Sequence, residues 1–270
     1  VAARLMENGV ATLAGIDAGL AGIQAAVDVG SAWKRPPDVP LLERTDPVQG
    51  NPIKVLNEAE SKSLLALNGV PVPPSQVVQS AEEAAIAAET LGYPVVAKAL
   101  GIAHKTEERA GRLNLNSADE VTAALLEMGN LSEAYLIEKM VTDIVAELIV
   151  GVARDEQFGP YLIVGGGGIL VEMMKDSTSL LLPTTREHVL QALGQLKCAP
   201  LLNGFRGAPP ANLNAAADTI LTIGDMVEKD PSLINELDIN PLMLLARGKG
   251  AIAADALISL NEKPLKEDRK

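Results

Sequence analysis

Two spacings of apolar residues alternate along this chain, and the switches between them mark its elements. The stretch NEAESKSLLALNG, residues 57–69, places apolar positions at helical intervals behind Asn57, a suitable N-cap, and stops at Gly69. SAEEAAIAAETLG, residues 80–92, repeats the plan: Ser80 with Glu83 predicts a capping box, and Gly92 ends the helix. SADEVTAALLEM opens on the same pairing, Ser117 with Glu120. Between and after them, PVVAKAL, GRLNL, AYLIEKMV, AELIVGVAR and PYLIVGG read as strands. TTREHVLQALGQL and NLNAAADTILTIGDMV return to the helical period, and INELDINPLMLLA and GAIAADALI predict paired strands around Arg247-Gly248-Lys249-Gly250. Helices and strands interleave, yet hairpin-like pairs recur. That favours an α/β chain with α+β mixed sheets over a doubly wound parallel sheet.

Residues 1–34 have a helical, small-residue pattern broken at Asn8-Gly9. The following KRPPDVPLLERTDPVQGNP holds five prolines in nineteen residues. Proline removes donors and fixes φ, so an extended linker is expected there.

Composition narrows the function classes. With 47% apolar residues but 2% aromatics, the core must be aliphatic. The 270 residues suffice for two modest domains or one large one. A net charge of −12 argues against nucleic acid as a partner, because a phosphate backbone needs a basic stripe, but it leaves room for a nucleotide held by a few local cations. One cysteine, Cys198, excludes an intrachain disulfide framework and a cysteine-rich zinc site, and fits a reducing cytoplasm. No apolar run reaches the ~18 residues of a membrane span. The chain starts at Val1 without a signal-peptide pattern, so it reads as a piece of a longer polypeptide.

Five places carry candidate chemistry. Lys98 sits within the apolar run PVVAKAL; it is either a strand residue facing solvent or a fixed cation for a phosphate. VGGGGILVEMMKD, residues 164–176, sets four glycines after a strand, as a flexible turn or as bare backbone for an anion; Gly166 and Gly167 are its central pair. It is neither a Walker loop nor a dinucleotide fingerprint. Asp238 and Asn240 share a strand face, and the hairpin brings Asp255 to the same end, either as ordinary surface carboxylates or as oxygen donors for Mg2+. YLIEKMVTDIVAELIVG, with Met140 and Val141 after an acidic strand, suits a purine-pocket lining, and Glu147 could accept from ribose hydroxyls; a charged edge strand is the alternative. Arg206, between glycines in LLNGFRGAPP, is a loop arginine or a phosphate clamp.

The order of these parts, together with ESKSLLALNGVPVP, LGYPVVAKAL, HKTE, LIEKMV, AELIVGVARDEQFGP, GGGGILVEMMKD, LLNGFRG and ELDINPL followed by AADALI, resembles the ATP-grasp fold. More narrowly, it is similar to the ATP-grasp part of the NDP-forming acyl-CoA synthetases, relatives of the succinyl-CoA synthetase β chain, over residues 56–260. The resemblance implies two lobes with nucleotide between them, at residues 56–133 and 134–262. Before them come the tail of a CoA-ligase-like subdomain (1–35) and the linker (36–55); a polar tail (263–270) follows.

It also implies roles. ATP is the substrate and Mg2+ the cofactor. Lys98 binds the α/β-phosphates, Glu138 and Met140 form the adenine hinge with Val141 beside them, Glu147 lies near the ribose, and Asn240 and Asp255 hold Mg2+. Gly166, Gly167 and Arg206 complete the nucleotide site. His104, in HKTE, falls on the position of a histidine that relays the phosphoryl group. Imidazole suits that work, since its neutral form is populated near pH 7. His188 reads as a helix surface residue. The implied partner is a CoA-binding, phosphohistidine-bearing domain or subunit, in an oligomeric full enzyme without membrane or nucleic acid. One departure stands out. Where the family turn continues Val-Gly-Gly, this chain has Glu108-Arg109-Ala110-Gly111. That change favours a second reading, a non-catalytic nucleotide-sensing module of a larger protein such as an acetyltransferase fusion. A biotin-carboxylase-like or peptide-ligase member is a third, disfavoured by HKTE and GFRG.

Overall fold

The computed structural model describes residues 2–13, 15–34, 52–101, 111–129, 131–168 and 176–262. Its contacts divide the chain into two compact units, Val1–Pro40 and Leu41–Lys270. In the first unit, helices α1 (Ala2–Glu7) and α2 (Ile16–Ala32) are separated by the expected Asn-Gly break, where Gly9 takes a positive φ of 74°. Leu13 folds back onto α2 because Gly19 and Gly22 leave room for it there.

The second unit holds two antiparallel sheets. The smaller runs β2 (Ser75–Val78), β5 (Tyr135–Lys139), β3 (Val95–Ala99), β4 (Gly111–Leu115) in spatial order. Helices α4 (Ala81–Leu91) and α5 (Ala118–Met128) cover one face of it, and their buried Ala84, Ala87, Ala88, Val121 and Leu125 meet Val95, Ala97, Tyr135 and Ile137. Strand period puts Val96, Lys98, Leu136 and Glu138 on the opposite face.

The larger sheet runs β1 (Ile53–Val55), β11 (Ala256–Asn261), β9 (Ile234–Leu245), β6 (Ile144–Asp155), β7 (Gly159–Gly166), β8 (Ser177–Leu181), with β10 (Ala251–Ala253) also on β9. Helices α3 (Glu58–Leu67), α6 (Arg186–Gln195), α7 (Ala199–Leu202) and α8 (Leu213–Lys229) bury their apolar stripes in its core, against Leu148, Val150, Leu162, Leu237, Ile239 and Leu242. Glu147, Ile149 and Ala153 of β6 fall on the opposite face from the core residues Leu148, Val150 and Val152.

Both lobe boundaries shift from expectation. The linker expected over 36–55 ends earlier, because Ile53–Val55 pairs with Ser259–Asn261 as β1. The lobes do not divide at 133/134. Strand β5 belongs to the smaller sheet, while α3 packs Leu65 into the larger core along with Leu56 and Val70. Short strands β2 and β8 were not legible, since SQVV and STSLL carry too few apolar residues to show a period. The caps also redistribute. Ser80 and Ser117 accept from Glu83 and Glu120 as expected, but those glutamates reach one residue further back, to the amides of Gln79 and Asn116. The fully reciprocal box forms at Asn57 and Glu60, both bonds at 2.9 Å.

The contrast between β9 and β11 checks this core. Leu237 is 1% exposed and Leu257 50% exposed. Leu237→Ala should lower unfolding stability in urea by roughly 2–5 kcal/mol. Leu257→Ala should stay within about 0.5 kcal/mol of wild type.

Candidate functional site

Lys98 leaves β3 on the face away from the small core, and its ammonium lands among carboxylates from three other elements. Nζ donates to Glu58 Oε1 at 2.5 Å and to the Ala254 carbonyl at 3.1 Å. It lies 3.7 Å from Glu138 Oε1 and 3.9 Å from Asp255 Oδ2. Lys62, on the buried side of α3, donates to Glu58 Oε1 at 2.7 Å and to Glu138 Oε2. Glu58, in the first turn of α3, also sits well against the helix dipole. The solvent-facing reading of Lys98 therefore fails: its side chain is 19% exposed, and it bridges the two lobes.

Electrostatics in this cluster oppose burial to charge. Burial is the largest influence on Lys98 and favours the neutral amine. The charges of Glu58, Glu138 and Asp255 together outweigh it and hold the pKa above the ordinary lysine value. At Glu138, burial prevails over Lys98 and Lys62, so the carboxyl is raised. Asp255 is raised too, by desolvation first, against the pull of Lys98.

The hairpin register, which the sequence left open, is settled by pairing. Ile239 stands opposite Ala256 and Leu242 opposite Ala253, so Asn240-Pro241 faces Ala254-Asp255. Asp255 occupies the break between β10 and β11, and Asp238 lies one step further along, opposite Leu257. A bulge at Asn240-Pro241 relative to β6 changes the phase of β9. Leu237 and Ile239 point into the core before it, and Leu242 and Leu244 after it. Asp238 and Asn240 are exposed on the outer face, and Asp255 is half-exposed. Among the described residues no group of three or more His, Cys, Asp or Glu is placed to hold a metal ion. Asn240 on β9 and Asp255 in the break between β10 and β11, expected as oxygen ligands, stand opposite each other.

Glu147 pairs across the sheet with Met243 on that same outer face. The glycine run folds directly over it. A Cβ on Gly167 would fall 3.0 Å from Glu147 backbone, and one on Gly165 2.9 Å from the Asp176 carbonyl. Here the amides are already engaged: Gly166 N–H donates to Asp176 O and Gly167 N–H to Glu147 O. The glycines therefore serve close approach of backbones, and these two amides do not form a bare anion cradle. Residues 169–175 of the run lie outside the described residues.

Met140 and Val141 continue β5 out of the small sheet towards β6, a segment joining the lobes, with the Met140 amide on Pro94 O. Glu138, assigned to the same hinge, instead turns its side chain into the lysine cluster. Arg206 takes a positive φ of 52° in an exposed turn, with its guanidinium 5.2 Å from the centre of the Phe205 ring. His188 lies in the first turn of α6, half-buried, its amide on Thr185 Oγ1. His104 and the Glu108-Arg109-Ala110 turn lie outside the described residues.

Sequence reasoning missed Glu58 and Lys62. At i and i+4 on a helix they pass for a solvated surface pair. The signal that could have found them is Lys62 standing three residues before Leu65, on the stripe that the helix must bury. Asp176 was also missed. Its carboxylate accepts from the amides of Lys197 (2.7 Å) and Cys198 (2.8 Å), which anchors the far end of the glycine run. Burial, seconded by Asp176, pushes the Cys198 thiol up to about 11, so it stays protonated and unreactive.

Comparison with known proteins bears on the fold and the family. The ATP-grasp domain family matches residues 48–260. The β subunit of ADP-forming acetate–CoA ligase I from Pyrococcus furiosus is 35% identical over 215 residues, covering 76% of this chain and 91% of that one. A trans-feruloyl-CoA synthase from an unknown prokaryotic organism is 39% identical, and the chain spans 30% of its length. Among solved structures, Ca. Korarchaeum cryptofilum dinucleotide-forming acetyl-coenzyme A synthetase 1 matches with a TM-score of 0.67 and 31% identity, over 77% of this chain and 93% of that one. That structure holds coenzyme A and Mg-AMPPCP, with its phosphohistidine segment pointing towards the nucleotide-binding site.

The Asp176 anchor has a pH signature. Burial would raise its carboxyl, but the two amide hydrogen bonds overcome that and hold it below the ordinary carboxylate range. The ionised form is then favoured by folding. Its stabilisation is complete above the unfolded value of about 3.9 and disappears as pH falls through the lower folded value. Asp176→Asn should cost roughly 1–3 kcal/mol at pH 7. The gap to wild type, followed by urea unfolding, should close towards pH 3 and below.

Proposed function

The chain belongs to the ATP-grasp family and is similar to the β subunits of ADP-forming acetate–CoA ligases, and we propose that it is the ATP-binding, phosphoryl-transferring module of an ADP-forming acyl-CoA synthetase. The overall reaction joins a carboxylic acid and CoA, at the expense of ATP, to give acyl-CoA, ADP and phosphate through a phosphohistidine. The observation that carries this reading is the meeting of Lys98 and Asp255. They come from different lobes and stand 3.9 Å apart, with Asn240 across the strand pair from Asp255.

In this reading Lys98 binds the α/β-phosphates, and Asn240 and Asp255 hold Mg2+. Two protein oxygens suit a cation that keeps several waters and takes phosphate oxygens for the rest. The metal supplies charge neutralisation of the phosphates. Lys98 and Asp255 then each turn to the nucleotide complex, so their 3.9 Å contact gives way to contacts through the ligand. Met140 and Val141 line the base pocket beside Glu138, Glu147 meets the ribose, and Gly167, next to Gly166, allows the backbone to pass close to Glu147. Arg206 is a second cation for phosphate. His104 receives or relays the phosphoryl group. The partner is a CoA-binding domain or subunit carrying the phosphohistidine, in an oligomeric cytoplasmic enzyme. The buried, protonated thiol of Cys198 accords with that compartment, and no helix among the described residues is long and apolar enough to cross a membrane.

Titrating ATP calorimetrically with and without Mg2+ tests the site. Asp255→Asn should weaken binding only when Mg2+ is present, and Lys98→Ala should weaken it by about tenfold or more in both conditions. An equal loss for Asp255→Asn in the two titrations would make that carboxylate merely structural.

The histidine separates catalysis from nucleotide sensing. Incubating the complete enzyme with γ-labelled ATP should leave acid-labile label on this chain. His104→Ala should abolish it while ATP affinity stays within about threefold, because a nucleophile contributes little to ground-state binding. Full label and full turnover in the variant would remove His104 from the mechanism; no label in the wild type would favour the sensing module.

A further inference from the structure

The lysine assigned to phosphate has a companion that no nucleotide need touch. Lys62 is 2% exposed and makes no contact with the hairpin's Asp255 comparable to that of Lys98, yet it shares two carboxylates with Lys98. Glu58 Oε1 accepts from Lys62 at 2.7 Å and from Lys98 at 2.5 Å. Glu138 accepts from Lys62 through Oε2 and faces Lys98 through Oε1 at 3.7 Å. Around Lys98, then, stand three carboxylates and one ammonium: Glu58, Glu138 and Asp255 against Lys62, two net negative charges.

Stability alone does not call for this arrangement. A buried ion pair gains little over apolar residues of the same shape, since desolvation offsets the attraction. The neighbours of Lys62 on α3, Ser61 and Leu65, are fully buried, so the position is one where an apolar side chain would serve packing. What an ammonium does there, and a methyl group could not, is occupy the carboxylates on one side.

We propose that Lys62 is a positioning residue for Lys98. By taking part of the charge and hydrogen bonding of Glu58 and Glu138, it keeps those carboxylates from capturing Lys98 outright. The Lys98 ammonium then retains enough uncompensated charge to move onto a polyphosphate. Without Lys62, the surroundings of Lys98 would carry three net negative charges, and phosphate would compete against two carboxylates with no other partner. The inference rests on the nucleotide reading above.

It predicts that Mg-ATP affinity follows the net charge around Lys98, measured by calorimetry on the full chain with folding of each variant checked by thermal unfolding. Lys62→Met should bind about tenfold more weakly than wild type, and Glu138→Gln about threefold more tightly. The double variant Lys62→Met/Glu138→Gln restores the wild-type count and should bind within about threefold of wild type. Should Lys62→Met fail to fold, the step from Glu138→Gln to the double variant isolates Lys62 in a background without the unpaired glutamate, and affinity should fall across it. Lys62→Met binding like wild type, or the double variant binding as tightly as Glu138→Gln, overturns the proposal. A wild-type chain that takes up no Mg-ATP overturns the nucleotide reading and this inference with it.

Discussion

The second unit is organised around ammonium groups that are withdrawn from water and must find carboxylates. Lys62 and Lys98 sit where two sheets and α3 converge, and Glu58, Glu138 and Asp255 converge with them. An unpaired charge at such depth is untenable, so each element is fixed relative to the others by the need to satisfy the rest. Glu58 and Lys62 come from a helix packed on the larger sheet, Lys98 and Glu138 from adjacent strands of the smaller one, and Asp255 from the hairpin break. The charge cluster thus does between the lobes what apolar burial does within each of them. Unlike apolar burial, it can be exchanged for a charged ligand.

Around that cluster the fold supplies accuracy by backbone means. The bulge at Asn240-Pro241 lets β9 keep its apolar residues in the core on both sides while Asn240 stays on the outer face beside Asp255. The glycines at 165 and 167 let β7 and the chain after it lie against Asp176 and Glu147 at distances no side chain would permit. Asp176 then ties this segment to the start of α7 through the amides of Lys197 and Cys198. Asn240 lies on β9, and Asp255 and Gly167 lie within two residues of strand ends, which suits a site whose ligand brings its own large charge.

Much of this was legible in the sequence. Helical and strand periods, the caps at Asn57, Ser80 and Ser117, and the hairpin around residues 247–250 are local patterns, and the structure has each of them. The order of Lys98, the acidic strand, the glycine run and the Asn/Asp hairpin was enough to indicate the family to which the chain belongs. These features were readable because each is encoded within a few residues, by spacing or by a side chain's demand on its own backbone.

What the tertiary structure alone decided is which distant groups share a space. That β5 joins the small sheet and α3 the large core, and that Glu138 turns to Lys62, follow from contacts between residues far apart in the chain, 76 positions for Lys62 and Glu138, to which local spacing is blind. Nor could the sequence show that Gly166 and Gly167 have their amides already committed, because the acceptors, Asp176 and Glu147, lie on other elements. A Glu-Lys pair four apart looks the same on a wet helix face as on a dry one. Only the packing of α3 between two sheets decided which it was, because the cost of burying charge depends on what surrounds it and not on its neighbours in the chain.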